Sequence, residues 1–140
     1  MTQEQMAKID SFLGDAGVFY LATADGDQPR LRPLGLHFHR EGKLLISVGD
    51  FKNVYRQMKA NPRVELVALA KDFRWLRVTA EAVEEAIADS ARWQEAALQA
   101  EPGLRAVYND QTGHRMAFFR LEKVTALVYG SAEEEPEELK

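Results

Sequence analysis

The stretch VFYLATADGDQPRLRPLGLHFHR, residues 18–40, decides the fold class. Its first six residues are strand formers, Asp25-Gly26-Asp27 marks a tight hairpin turn, and a second strand runs from Gln28 to His39. Side chains alternate along a strand, so Arg30, Arg32, Leu34, Leu36 and Phe38 are expected on one face. Leu31, Pro33, Gly35, His37 and His39 fall on the other. Pro33 has no N–H to give to a ladder, which assigns this strand to an edge or a bulge.

Working outward, Glu41-Gly42 is the next turn and Lys43 to Val48 the third strand. A helical period follows in Phe51 to Lys59, with Phe51, Val54, Tyr55 and Met58 as its apolar stripe. Asp50 is the expected N-cap, and Asn61-Pro62 is the stop. Upstream, Met6, Ile9 and Leu13 space an amphipathic helix over residues 2–15, with Thr2 as N-cap and Gly14 or Gly17 as its end. Downstream come two strands, Arg63 to Ala70 with an apolar, buried run and Phe73 to Val83. Helical spacing returns over residues 84–99 and 102–108. Two last strands, Arg115 to Leu121 and Val124 to Tyr129, are separated by Glu122-Lys123. Hairpin-linked strands with few helices exclude a doubly wound parallel sheet. They predict a mainly β protein, a six- to seven-stranded antiparallel barrel with flanking helices.

The 140 residues, 46% apolar and 29% charged, suit one domain, taken as residues 1–132. Residues 133–140 carry five carboxylates and read as an acidic, mobile tail. The chain has no cysteine, which removes disulfides, thiolate metal sites and cysteine nucleophiles. No signal-peptide pattern or membrane-length apolar run is visible, so no membrane association and a cytoplasmic location are expected. The net charge of −4 conceals an asymmetry: residues 28–77 hold eleven Lys and Arg against four acids. A basic middle interleaved with core strands and without aromatic platforms points to a local anion site. It does not point to a nucleic-acid surface.

The anion site has candidates. The turn Gly49-Asp50-Phe51-Lys52-Asn53 leads into a helix whose first N–H groups and positive dipole end favour a phosphate, with Lys52 in the first turn. Arg30, on a neighbouring strand, can add a bidentate grip. His37 and His39 share a strand face, but no third ligand accompanies them, and no metal site is expected. Glu84-Glu85 reads as the start of a solvated helix face. The serines lack a nucleophile-elbow context.

In order and spacing, Val18-Phe-Tyr-Leu-Ala-Thr, Pro29-Arg30-Leu31-Arg32-Pro33, Leu44-Leu-Ile-Ser-Val-Gly followed by Lys52, and Asn61-Pro62-Arg63-Val64-Glu65-Leu66 resemble the pyridoxamine 5'-phosphate oxidase-like superfamily of FMN-binding split β-barrels. The resemblance implies a homodimer with FMN bound at the subunit interface and a small-molecule substrate. It implies that Arg30 and Lys52, with Asn53 beside them, hold the FMN phosphate. Arg30, Leu31, Arg32, Pro33 and Leu34 would run along the ribityl chain and ring, Ile46 and Ser47 would complete the pocket, and Trp75 would lie near the flavin. Phe51 stands where the oxidases carry a second basic residue, Trp75 where they carry glutamine, and Ala80 where they carry glycine. The extension that grips pyridoxal phosphate is not seen either. These departures point away from oxidation of pyridoxamine phosphate itself. The expected function is an FMN-binding oxidoreductase that moves electrons between a donor, NADH, NADPH or another, and a small acceptor. The alternatives are a nitroimidazole reductase-like enzyme and a non-catalytic protein binding FMN, haem or a deazaflavin. No catalytic residue is assigned; Tyr20, His37 and Tyr129 are possible proton donors.

Overall fold

The computed structural model describes residues 1–130 and 135–140. Helix α1 (Gln3–Ala16) is followed by strands β1 (Phe19–Asp25), β2 (Gln28–Leu34), β3 (His37–Arg40) and β4 (Lys43–Gly49). Then come α2 (Asn53–Ala60), β5 (Arg63–Leu69), β6 (Trp75–Glu84), α3 (Ile87–Ala100), a 3-10 turn at Pro102–Ala106, the long β7 (Met116–Tyr129) and a short β8 (Glu137–Glu138). The strands form one antiparallel sheet in the order β2-β1-β5-β6-β7-β4-β3, with β8 beside β7. The sheet coils but does not close, because β2 and β3 lie at its two ends. No helix among the described residues is long and apolar enough to cross a membrane.

Local chemistry explains most of these bounds. Thr2 accepts from the Gln5 N–H while the Gln5 side chain accepts from the Thr2 N–H, a reciprocal cap that starts α1. In the β1–β2 hairpin Asp25 faces Gln28, leaving Gly26 and Asp27 as the turn, and Gly26 takes a φ of 62° that a side chain would resist. Pro33 lies on β2, an edge strand, as its missing donor requires.

One face of the sheet, α1 and α2 enclose the main core. Ile9 and Leu13, Phe19 and Leu21, Ile46 and Val48, Val54 and Met58, Leu66, Leu76, Val78 and Phe119 are its principal members. A second core lies outside β4 and β7, where Leu45, Met116 and Phe118 pack against Trp93, Ala97 and Leu98 of α3. Covered on both faces, β4 is buried without alternation from Leu44 to Gly49, Ser47 included.

Five expectations change. The strand expected over residues 28–39 is two strands, broken at Gly35-Leu36. Leu34 packs against the main core, whereas Leu36 and Phe38 pack against the second. The two final strands are one, β7. Its register against β6 shifts between Thr79 and Glu81, and Lys123 takes a φ of 51°, so Glu122-Lys123 marks an extra residue accommodated as a bulge where a turn was expected. In β5 only Val64, Leu66 and Ala68 are buried, and Leu69 is exposed. Glu84 and Glu85 do not open a solvated helix: α3 begins at Ile87, Glu85 is buried and Lys43 Nζ stands 2.9 Å from its carboxylate. The acidic tail is partly structured. Glu137 and Glu138 pair with Val128 and Leu127, the Leu139 N–H donates to Ala126 O, and Leu139 packs on the main core. Residues 133 and 134 of that tail lie outside the described residues.

Candidate functional site

The β1–β2 hairpin and α2 face each other across a cleft of about 800 Å³. From the hairpin come Asp25, Arg30, Leu31, Arg32, Pro33 and Leu34, and from the α2 side Lys52, Asn53, Arg56 and Gln57. Two strand residues of like charge and a helix start thus converge because a two-residue turn and the β4–α2 connection place them side by side.

The cations do different work. Arg32 is half-buried and fully engaged. It donates to Leu21 O at 3.1 Å, Thr23 Oγ1 at 2.7 Å and Gln57 Oε1 at 2.7 Å, tying β2 to β1 and α2 at the base of the cleft. Burial and then the adjacent Arg30 charge push its guanidinium below the ordinary value. Arg30 donates to Asp25 at 3.2 Å, an exposed pair that an incoming anion can exchange. Lys52 makes no ion pair among the described residues, and Arg56 donates to Asn53 of its own helix.

Lys52 is the N-cap of α2, not a first-turn residue, and no side chain caps this helix. Asp50, the expected cap, is turned away: it accepts from the Arg115 N–H at 3.1 Å and pairs with the Arg115 guanidinium at 3.5 Å. Phe51 leaves the apolar stripe as well and stacks on His114, ring centroids 3.7 Å apart. The start of α2 therefore holds two cations, Lys52 and Arg56, at a spacing of four, with no acid in its first turn. Both the positive dipole end and the like-charge neighbour disfavour that arrangement unless an anion lies between them.

Of the residues singled out from the sequence, Arg30, Leu31, Arg32, Pro33, Leu34, Lys52 and Asn53 all line this cleft. Ile46 does not; it is buried in the main core opposite Phe119. Ser47 is buried too, its hydroxyl donating to Ala117 O at 3.0 Å. Trp75 stacks on Tyr129 with centroids 3.9 Å apart, and neither lines the cleft. His37 pairs with Asp10 at 2.7 Å and His39 with Gln3 at 2.9 Å, both fastening α1 to β3. Among the described residues no three His, Asp or Glu side chains are grouped to hold a metal.

The family model for pyridoxamine 5'-phosphate oxidase matches residues 6–127. The chain belongs to the pyridoxamine 5'-phosphate oxidase family. Within that family's fold, a NimC/NimA family protein from Clostridium acetobutylicum superposes with a TM-score of 0.84 at 36% identity, over 99% of this chain and 93% of its own. A FAD-binding protein from Mesorhizobium loti (TM-score 0.57, 18% identity, 89% of this chain and 94% of its own) shares the fold. So does a heme-binding protein from Mycobacterium smegmatis (TM-score 0.67, 16% identity, 97% and 57%). No curated protein matches the chain.

For this member of the pyridoxamine 5'-phosphate oxidase family, the sequence reading missed Arg56 and Gln57 in the cleft wall. Arg56 was within reach, since a residue four after Lys52 must lie on the same helix face. The reading also missed Glu84, which is 12% exposed as a side chain and accepts from Tyr55, Lys59 and Arg115 behind α2. Burial alone raises a carboxyl, but here the hydrogen bonds from Lys59, Tyr55 and Arg115 outweigh it and hold the Glu84 carboxyl below its ordinary value. A depressed folded-state value contributes stability above the unfolded value, about 4.3, and loses it as pH falls through the folded one. Urea unfolding at pH 6 and pH 3.5 checks this: the loss of stability is smaller in Glu84→Gln than in the wild type.

Proposed function

We propose that this chain is an FMN-binding oxidoreductase that passes electrons from a reduced nicotinamide to a small acceptor. The observation that carries the reading is the convergence of Arg30, Arg32, Lys52 and Arg56 on one cleft in which, among the described residues, Asp25 is the sole carboxylate. A phosphate monoester supplies two negative charges to a cleft whose lining carries an excess of positive ones. Arg30 and Lys52 hold the phosphate, and β2 from Leu31 to Leu34 offers an edge along which the ribityl chain runs. When bound, the flavin supplies the redox chemistry; the protein supplies the anchor, the orientation and the surrounding polarity.

The reading includes a homodimer. The face of β1, β2, β5 and β6 opposite the main core carries Tyr20, Leu31, Val67, Leu69 and Trp75 in neighbouring register, and Tyr20, Leu31 and Leu69 are 46%, 68% and 52% exposed. An apolar stripe of that kind is suited to a second copy, with Trp75 and Tyr129 carried toward the partner's cleft. Leu69→Glu, outside the cleft, shifts the protein from dimer to monomer in light scattering; a variant that stays dimeric removes this face from the interface. The compartment that goes with a nicotinamide donor is the cytoplasm.

A second reading, a nitroimidazole reductase-like enzyme, is favoured by the 36% identity to the NimC/NimA family protein. Anaerobic mixing of the FMN-loaded protein with NADPH or NADH, then with a nitroimidazole, tests both. Bleaching of the flavin bands by the nicotinamide supports the oxidoreductase, and reoxidation by the nitroimidazole supports the narrower role. Protein that binds FMN but is bleached by neither nicotinamide favours a binding protein instead. A Soret band lost on replacing His37 or His39 favours haem.

A further inference from the structure

The side of α2 turned away from the cleft is held by charges that the flavin reading leaves unused. Glu84, the last residue of β6, accepts through Oε1 from the Tyr55 hydroxyl at 3.0 Å and from Lys59 Nζ at 2.9 Å, both on α2. Its other oxygen accepts from Arg115 Nη2 at 3.2 Å. Arg115 is in turn joined to Asp50, two residues before Lys52. Its N–H donates to Asp50 Oδ1 at 3.1 Å, its carbonyl accepts from the Asp50 N–H at 3.0 Å, and its guanidinium stands 3.5 Å from Asp50 Oδ2. One largely shielded carboxylate therefore fixes the body of α2 directly and the residues leading into it through Arg115.

This helix has reason to need such a hold. It is eight residues long, lacks a side-chain cap and carries Lys52 and Arg56 at its positive end, so neither its length nor its electrostatics keeps it in place. Val54, Tyr55 and Met58 pack inward, but apolar contacts leave a short helix some freedom to slide and rotate. The hydrogen-bonded ions on its far side remove that freedom, and they converge on a Glu84 side chain that is only 12% exposed.

We propose that Glu84 is a positioning residue: through Tyr55, Lys59 and the Arg115–Asp50 link it sets the pose in which Lys52 and Arg56 meet an anionic phosphate monoester. The inference rests on the flavin reading above and adds that the phosphate grip depends on a carboxylate that never touches the ligand. Displacing a binding group by an ångström can cost up to a hundredfold, and the loss falls only on ligands that carry the phosphate.

The test compares FMN with riboflavin, which lacks the phosphate, in wild type, Glu84→Gln and Glu84→Asp, by quenching of flavin fluorescence. Glu84→Gln weakens FMN about tenfold and leaves riboflavin unchanged, so the preference for FMN shrinks, and Glu84→Asp restores part of it. An FMN preference equal to that of the wild type overturns the proposal, as does a parallel loss for both flavins, the mark of general damage. If Glu84→Gln does not fold, Lys59→Met removes one of the three donors from outside the cleft and must show a smaller loss of the same kind, confined to FMN. A wild type with no preference for FMN defeats the flavin reading itself and this inference with it, and that outcome is visible before any variant is made.

Discussion

Lys52→Ala weakens FMN by about 1.5–3 kcal/mol, roughly ten- to 150-fold, and Arg30→Ala does so by a similar amount. Each variant removes a charge-assisted hydrogen bond to a dianion. Lys52 has no ion pair to break among the described residues, and Arg30 gives up only an exposed contact to Asp25. Arg32→Met behaves differently, because its guanidinium is engaged with Leu21, Thr23 and Gln57. It costs stability as well as affinity, since it leaves Thr23 Oγ1 and Leu21 O without their donor, while Gln57 Oε1 keeps only the Thr23 hydroxyl. Fluorescence titrations with FMN and with riboflavin check the series. Unchanged FMN affinity in both Lys52→Ala and Arg30→Ala would place the phosphate elsewhere.

Phe119→Ala destabilises the fold by about 3–5 kcal/mol, through lost transfer energy and the cavity left behind. Phe119 is fully buried in the main core, faces Ile46 across the β4–β7 ladder and meets the Tyr55 ring edge-on at 5.9 Å. For a domain of this size the loss lowers the melting temperature by roughly 10–20 °C. The contact with Tyr55 extends the effect to α2, so flavin affinity falls as well in the fraction that stays folded. Calorimetry of apo and FMN-loaded protein reads both. A melting temperature within a few degrees of the wild type would mean that the core has closed around the space.

The cleft was legible because it is local. Arg30, Lys52 and their neighbours sit on one hairpin and one helix start, and the turn chemistry of Asp25-Gly26-Asp27 and the helical period after Gly49 set those two pieces without help from the rest of the chain. The break at Gly35-Leu36 was not legible. Leu34, Leu36 and Phe38 keep period two straight through it, yet the first serves one core and the other two a second. Glu122-Lys123 has turn composition, but β6 continues alongside, so the extra residue is absorbed as a bulge. Glu84 and Glu85 look solvated because the partners that make their burial tolerable, Lys43, Tyr55, Lys59 and Arg115, lie 25 to 42 residues away in sequence. Asp50 failed as a cap for the same reason: Arg115, distant in the chain, competes for it and wins.

On the proposed function, the cleft between β2 and α2 recognises the phosphate of FMN. Titrating the wild-type protein with FMN and with riboflavin under one set of conditions tests it most directly. One FMN bound per chain is expected, with an affinity about a hundredfold above that for riboflavin, the value of two charge-assisted contacts at about 1.5 kcal/mol each. Equal affinity for the two flavins, or no binding of FMN, would contradict it.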